Sequence, residues 1–210
     1  MSGQVSHDPQ PRVQRVVLAS SNAGKLRELA SLLAPLGLEL VGQSALGVAS
    51  PPETGKTFLD NALLKARHAA TGTGLPAVSD DSGIEVDALG GRPGVYSARY
   101  AGEGASDADN LRKLLEELRD VPEGKRRARY RCAIVFVRNA ADAAPVLAEA
   151  SWEGSIALQP RGSAGFGYDP VFVPAGQSRT AAEFAPEEKN QVSHRGKALR
   201  ALIRKLGPEP

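Results

Sequence analysis

Residues 16–29, VVLASSNAGKLREL, place an apolar run directly before a cluster of small polar residues and a helical pattern. The run at 16–19 predicts a buried strand, because it is short, apolar and bounded by polar residues. The helical spacing that follows is carried by four leucines, Leu26, Leu29, Leu32 and Leu33. Pro35 and Gly37 end this predicted helix. A strand that runs directly into a helix is typical of an α/β domain.

The turn between this strand and this helix suits a phosphate group. Asn22 is a good helix N-cap, and the first turn of a helix has unpaired N–H groups and a partial positive charge. Gly24 would let an anion approach closely, and Lys25 adds a full charge. The stretch is not a Walker A loop, because Leu26 stands where Ser or Thr would hold magnesium. A capped turn with a solvated lysine is the alternative interpretation.

The rest of the chain predicts further strands and helices around one mixed, twisted sheet. Residues 75–89 predict a strand, a turn and a second strand, because apolar alternation resumes at Ile84. Other strands are expected at 38–43, 128–137, 144–152 and 154–158, and a short one at the end of the glycine-rich loop 160–172. Helices are expected at 58–70 with Thr57 as cap, at 106–118 and at 193–206. The fold class is α/β, with an antiparallel middle of the sheet.

Composition excludes several classes of protein. The chain has 210 residues and a formal net charge of +2, without the basic excess of nucleic-acid or membrane-surface binders. Cys132, the only cysteine, predicts core packing and excludes a disulfide within the chain. No apolar stretch approaches the roughly 18 residues of a membrane span, and no apolar signal core is present near the start. We expect a cytoplasmic protein with a flexible tail at 1–14 and a single domain at 15–207.

The segment SDDSG, residues 79–83, is a candidate metal site. Magnesium prefers oxygen ligands, and phosphoryl chemistry requires such a cation. Neighbouring strand residues point to opposite faces, so one of Asp80 and Asp81 should face a site while the other supports the turn. Glu53 is either a second metal ligand or a simple loop residue. The alternative for Asp80 and Asp81 is an acidic turn before a glycine.

Three further features have both a functional and an ordinary interpretation. Lys65 forms an i, i+4 pair with Asn61 on one stripe of its helix. The ordinary interpretation is a solvated lysine, as most lysines on helices are. The segment AGFGYDP, residues 164–170, carries two aromatic rings among glycines. Either these rings stack on a base, or they are buried and anchor a tight turn. Residues 193–195, SHR, begin the last helix and suit an oxygen-rich ligand, or they simply cap a basic helix.

Five blocks in this order resemble those of the non-standard purine nucleoside triphosphate pyrophosphatases, the inosine triphosphate (dITP/XTP) pyrophosphatase family. The blocks are ASSNAGKLREL, TFLDNALLKA, SDDSGIEVDALGGRPGVYSARYAG, GFGYDPVF and KNQVSHRGKAL, and the resemblance runs from about Arg15 to Leu206. It implies an elongated α/β protein with two lobes around a central substrate cleft, and a homodimer. It also implies magnesium-dependent hydrolysis of ITP, dITP and XTP to the monophosphate and pyrophosphate, with water as nucleophile. Such an enzyme removes deaminated purine nucleotides before they enter DNA or RNA.

The resemblance also implies roles by position. Asp81 matches the catalytic acid that binds the metal and activates water, and Glu53 and Asp80 match positions near the metal. The residues implied around the phosphates are Ser20, Ser21, Asn22, Ala23, Gly24, Lys25 and Lys65, and Ser82 is implied as a residue that touches the substrate. The residues implied around the base are Phe166, Gly167, Tyr168, Asp169, Lys189, His194 and Arg195, with Phe166 as the stacking ring.

The chain departs from the family pattern in the loop SPPETG, which has one glutamate where many relatives have two. Ser21 stands where threonine or glycine is common. Three other functions stay open from the sequence. They are a related hydrolase for pyrimidine or modified nucleotides, a silent nucleotide-binding sensor, and a phosphatase that releases phosphates one at a time.

Overall fold

The computed structural model describes residues 14–20, 22–33 and 38–207. Apart from Gln14, the predicted tail lies outside the described residues, as does Ser21. Within these ranges the strands are β1 (Gln14–Leu18), β2 (Leu38–Gly42), β3 (Ala77–Val86), β4 (Arg127–Val137), β5 (Val146–Ile156) and β6 (Phe172–Pro174). The α-helices are α1 (Ala23–Leu33), α2 (Phe58–Thr73), α3 (Asp107–Glu117), α4 (Pro186–Val192) and α5 (His194–Leu206).

These strands form one mixed sheet in the order β2-β1-β3-β4-β5-β6. β1 is parallel to β2 and β3, whereas β3 to β6 are antiparallel neighbours. β1 pairs with β3 only at Val17–Ala77 and Leu18–Val78, but β3 pairs with β4 along its whole length to Val86. The long strands therefore extend well beyond β1 and β2. The expected α/β fold with a mixed sheet is confirmed.

Alternation along β4 separates the two cores of the first lobe. Cys132, Ile134 and Phe136 pack with α1 and α5, whereas Ala133 and Val135 pack against α2 on the opposite face. We call this region, with β1, β2 and the adjacent halves of β3 to β5, the first lobe.

The far halves of β3 to β5 form a second lobe with α3 and β6. Its core contains Ile84, Leu114, Trp152 and Phe172. Each lobe therefore has its own apolar core, while three long strands run through both. This continuity explains how one sheet can support two lobes.

The structure corrects the predicted turn within 75–89. β3 is a single strand, and Asp80 and Asp81 lie in its middle, opposite Ile134 and Ala133 of β4. Gly83 is also in the strand, where an added Cβ would collide with Ser97 Oγ and Gly94 O. The glycine therefore permits close approach of a neighbouring segment, and sheet pairing overrides the turn preference of Asp and Gly.

Two other assignments need correction. The strands expected at 144–152 and 154–158 are one strand, β5, in which Gly154 lies against Phe172 and the backbone of Val173. Part of the predicted loop after β3 is a 3₁₀ helix (Gly94–Arg99). Helix α4 was not predicted from the sequence, although its first helical residue is a proline, which is favoured at that position.

Helix caps occur where the sequence predicts them. Thr57 and Asp60 form a reciprocal capping box on α2, and Ser106 does the same with Asp109 on α3. Ser193 accepts a hydrogen bond at the start of α5. Cys132 is buried as expected. In the described part of the chain, no helix has the length and apolar character needed to cross a membrane.

Candidate active site

A cavity of about 430 Å³ is lined by residues of both lobes. Its size is in the usual range for small-molecule sites. Most of the residues that the resemblance implicates line it: Ser20, Asn22, Lys25, Glu53, Lys65, Asp81, Ser82, Phe166, Gly167, Tyr168, Asp169, Lys189, His194 and Arg195. Gly24 lies beside the Phe166 ring. Ala23 is the first residue of α1, and Ser21 is outside the described residues.

The turn before α1 has the predicted cap. Asn22 Oδ1 accepts hydrogen bonds from the backbone N–H groups of Gly24 and Lys25, at 2.9 and 3.1 Å. Ser20 Oγ accepts from the N–H of Asn22. This end of α1 opens into the cavity together with the side chain of Lys25. The N-terminus of α1 and the Lys25 side chain therefore lie together at the cavity wall, where both attract an anion.

Two carboxylates converge on one ammonium group at the centre of the cavity. Lys65 Nζ donates to Asp81 Oδ1 at 2.7 Å and to Glu53 Oε1 at 2.9 Å. Asn61, one turn earlier on α2, donates to Asp81 Oδ2 at 3.2 Å. Lys65 is buried, so the alternative of a solvated helix lysine is wrong. The spacing of Asn61 and Lys65 places both side chains against Asp81.

Asp80 faces away from Asp81, as strand alternation predicts. Its Oδ2 lies 3.2 Å from Lys25 Nζ and 3.2 Å from Arg195 Nε, and it accepts a hydrogen bond from Ser82 Oγ. Asp80 is fully buried and does not line the cavity. The expectation that it supports a turn was wrong, because it instead joins two cations that do line the cavity, Lys25 and Arg195.

Burial and neighbouring charges separate the two aspartates electrostatically. Burial alone would raise the pKa of Asp80, but the charges of Lys25 and Arg195 outweigh it and hold that pKa well below its ordinary value. For Asp81, burial dominates over Lys65 and Lys25, so the pKa of this carboxyl is raised. Two carboxyls with opposite shifts can take different roles, and Asp81 is the better proton acceptor.

The ring of Phe166 lines the cavity beside Gly24 of α1. Lys189 Nζ and Arg195 Cζ lie 5.1 and 5.5 Å from its centroid. Lys189 also donates to Asp169 Oδ2 at 2.6 Å and to Glu28 Oε1 at 3.2 Å. Asp169 Oδ2 accepts from the N–H of Phe166, which closes the glycine-rich loop. A flat ring and two buried cations therefore meet at one place.

His194 stacks on Tyr130 with ring centroids 4.5 Å apart and an interplanar angle of 9°. Burial, with the charges of Arg195 and Lys189, holds the pKa of His194 well below its ordinary value. The imidazole is therefore neutral at pH 7. Its Nδ1 is buried and has no hydrogen-bond partner among the described residues.

Sequence reasoning missed several residues of the site. Glu28 contacts both Lys189 and Arg195, and its position one turn after Lys25 on α1 was an available signal. Asp107 accepts a hydrogen bond from the N–H of Gly167 at 2.8 Å. Further residues that line the cavity and were not predicted include Arg99, Asn110 and Tyr130.

The fold and the site define an α/β protein with a deep, cation-lined cleft between two lobes. The chain belongs to the Ham1 family, whose model matches residues 16–205. This match confirms the resemblance found in the sequence.

Relatives with assigned activities and solved structures are similar over nearly their whole length. A dITP/XTP pyrophosphatase of Shigella flexneri is 58% identical over 191 residues, which are 91% of this chain and 97% of the relative. A dITP/XTP pyrophosphatase of Escherichia coli K12 is 56% identical over 191 residues, again 91% of this chain and 97% of the relative. A HAM1 protein from Coxiella burnetii has a TM-score of 0.85 at 47% identity, covering 92% of this chain and 98% of that one. A nucleoside-triphosphatase / dITP/XTP pyrophosphatase of Mycobacterium abscessus has a TM-score of 0.72 at 48% identity, covering 90% and 99%.

Proposed function

We propose that this protein is a magnesium-dependent nucleoside triphosphate pyrophosphatase for non-standard purine nucleotides. Its substrates are ITP, dITP and XTP, and its products are the nucleoside monophosphate and pyrophosphate. The observation that carries the proposal is a single cavity that joins the N-terminus of α1, the Asp81–Lys65–Glu53 cluster and the Phe166 ring. The similar dITP/XTP pyrophosphatases support the same activity.

The donor set fits a magnesium ion bound together with the substrate. Asp81 and Glu53 place one oxygen each within 2.9 Å of the same cationic atom. Among the described residues, no group of three or more acidic, histidine or cysteine side chains could hold a metal alone. Magnesium commonly binds through one or two carboxylates, with substrate phosphates and water as its remaining ligands. Asp81 and Glu53 would hold it, and it would neutralise charge on the phosphate oxygens.

The side chains around the phosphates suggest how the bond is cleaved. The N–H groups that begin α1, with Lys25 and Lys65, would bind the triphosphate. A water molecule attacks the α phosphorus, and the bond from that phosphorus to the bridging oxygen breaks. Pyrophosphate leaves with that oxygen, and Asp81 accepts the proton of the attacking water.

The base end favours a purine with an oxygen at position 6. Hypoxanthine and xanthine present an acceptor at this position and an N1–H donor, whereas adenine presents the reverse. Lys189 and Arg195 are buried donors beside Phe166, which would stack on the base. Both already donate to carboxylates, so a purine oxygen would accept one further N–H from each. With adenine, each such N–H would face another donor or stay unpaired, which costs about 1–3 kcal/mol, more if charged. Two mismatches would therefore reject ATP by on the order of a hundredfold.

A product assay tests this function. The protein would be incubated with magnesium and separately with ITP, GTP and ATP, and nucleotides, pyrophosphate and phosphate would be resolved. We expect IMP and pyrophosphate from ITP, much slower cleavage of ATP, and no turnover by Asp81→Asn. Release of phosphate one at a time would indicate an ordinary phosphatase. Equal cleavage of ATP would contradict the base pocket, and binding of ITP without cleavage would indicate a sensor.

The homodimer stays a prediction of the family resemblance, and the cytoplasmic location stays a prediction of the sequence. Light scattering on the purified protein, across a range of concentrations, measures the oligomeric state. A mass equal to one chain at all concentrations would contradict the dimer.

A further inference from the structure

Glu53 is the candidate metal-binding carboxylate that lies outside regular secondary structure. It is on the segment between the 3₁₀ helix (Gln43–Leu46) and α2, whereas Asp81 is fixed within β3. Among the described residues, the carboxylate of Glu53 contacts two side chains, Lys65 and Arg99. Because metal sites require ligands in fixed positions, one of these contacts must hold the Glu53 carboxylate in place.

Arg99 contacts both the side chain and the backbone of Glu53. Its NH1 donates to Glu53 Oε2 at 2.9 Å, and its NH2 donates to the carbonyl oxygen of Glu53 at 3.4 Å. Lys65 contacts the other carboxylate oxygen, Oε1. The two oxygens therefore have separate partners, and the one directed towards Asp81 is not the one that Arg99 holds.

The backbone that carries Arg99 is fixed by the second lobe. Ser97 Oγ accepts from the N–H of Ile84 at 2.9 Å, and the carbonyl of Ser97 accepts from Tyr168 OH at 2.8 Å. The carbonyl of Ala98 accepts from Asn110 Nδ2 at 3.1 Å. Arg99 thus reaches from a well-anchored 3₁₀ helix to a loop of the first lobe.

Lys65 cannot anchor Glu53 once a cation is present. Its ammonium contacts Oε1 of Glu53 and Oδ1 of Asp81, which are the oxygens that converge on one point. A metal ion at that point would displace the ammonium, since both are cations. Arg99 holds Oε2 and can keep its contact throughout. The Arg99 guanidinium also lies 5.3 Å from the centroid of the Tyr96 ring and forms an ion pair with the exposed Glu103.

We propose that Arg99 is a positioning residue that holds Glu53 so that its Oε1 and Asp81 Oδ1 converge on one point, where the two carboxylates would hold a magnesium ion. This inference rests on the proposed function and assigns a role to a residue that the sequence analysis did not single out. Arginine suits the position because its planar fork contacts a carboxylate and a carbonyl together, which a lysine cannot do.

The test measures metal affinity in Arg99→Met and Arg99→Lys. We expect the magnesium concentration for half-maximal rate to rise about 10- to 100-fold in Arg99→Met, as is typical for partners that orient a metal ligand. KM for ITP at saturating magnesium should change little. Arg99→Lys should recover part of the loss. Glu103→Gln is the matched control, because it removes the other ion pair of Arg99 and leaves Glu53 in contact.

A second readout does not depend on turnover. Mn²⁺ would be titrated into each variant with an α,β-methylene analogue of ITP, and free Mn²⁺ would be counted by electron paramagnetic resonance. The same fold-change is expected, and Arg99→Met should add nothing in a Glu53→Gln background. If Arg99→Met loses affinity equally in both backgrounds, Arg99 acts elsewhere and the inference is wrong.

The outcomes separate this inference from the proposed function. If the wild type cleaves ITP with magnesium but Arg99→Met and Arg99→Lys retain wild-type metal affinity, the inference alone is wrong. If KM for ITP rises while the magnesium requirement is unchanged, Arg99 binds phosphate instead. If the wild type neither requires a metal nor binds Mn²⁺, both are wrong.

Discussion

Lys65 is the residue on which the two candidate metal ligands converge. Its pKa is raised, because the charges of Asp81 and Glu53 outweigh the burial that would lower it, so it stays protonated. The two carboxylates around Lys65 therefore favour a positive charge between them. When substrate binds, the ammonium group of Lys65 is close enough to these carboxylates to contact the phosphates beside the metal.

Lys65→Met is expected to lower kcat about 100- to 1000-fold, the usual cost of removing one donor to transition-state charge. Steady-state kinetics with ITP at saturating magnesium measure this loss. Lys56→Met is the matched control, since Lys56 is exposed just before α2 and should keep normal kcat. An unchanged kcat in Lys65→Met would remove Lys65 from the proposed mechanism.

His194 should make the stability of the protein depend on pH in a mildly acidic window. Burial, first, and the charge of Arg195 hold its folded-state pKa far below the unfolded value, which is about 6.5. The unfolded chain therefore takes up a proton below pH 6.5 that the folded chain does not. By linkage, the free energy of unfolding should fall as the pH drops, by about 1.4 kcal/mol at pH 5.5.

Urea denaturation at pH 7.5, 6.5 and 5.5 measures this effect. Stability should be nearly constant from pH 7.5 to 6.5 and then decline. His194→Gln should flatten the decline, whereas His68→Gln should not, because His68 is exposed. Buried carboxylates such as Asp80 have a lowered pKa in the folded protein. Their protonation therefore reduces the stability of the protein only at lower pH, below about 4. An equal decline in His194→Gln would assign the effect to another group.

At the scale of elements, β3 combines a continuous strand with a close approach of the 3₁₀ helix Gly94–Arg99. The contact occurs at Gly83, where an added Cβ would meet Ser97 Oγ and the carbonyl of Gly94. Ser97 in turn bonds the backbone of β3 through Ile84. The glycine thus allows the segment that carries Arg99 to lie directly on the strand that carries Asp81.

Gly83→Ala is expected to destabilise the fold by about 1–3 kcal/mol, the usual cost of overpacking. Urea denaturation at pH 7.5 measures the change. Gly124→Ala is the control, because an added Cβ there meets no atom within 4 Å. If both variants were equally stable, the 3₁₀ helix would have room to shift away from β3.

The sequence predicted those parts of the site that depend on local rules. Asn22 as a cap, and Asn61 and Lys65 on one helical stripe, follow from spacing within a helix. Asp80 and Asp81 were assigned to opposite faces correctly, although their turn was wrong, because pairing with β4 is a long-range interaction. The contact of Arg99 with Glu53 joins residues 46 positions apart, and no local pattern indicates it.

At the scale of the whole molecule, one cavity spans two lobes that have separate cores. The N-terminus of α1 and Lys65 belong to the first lobe, whereas the loop at 160–172 packs with the second. One oxygen of Asp80, Oδ2, contacts both Lys25, at the start of α1, and Arg195, at the start of α5. A whole nucleotide should therefore engage both lobes, and a fragment only one.

Hydrogen–deuterium exchange tests this division. With magnesium, pyrophosphate alone is expected to slow exchange at 22–25 and 47–57, and IMP alone to slow it mainly at 164–169. The α,β-methylene analogue of ITP should protect all three segments, because each ordered contact lowers local opening. ATP at the same concentration is the control and should protect 164–169 less, since adenine cannot pair with the buried donors. If pyrophosphate protected 164–169 as strongly as the full analogue, that loop would respond to phosphate binding and not to the base. The two ends of the cavity would then form one cooperative unit, and the selection of the base would have to occur at a later step than binding.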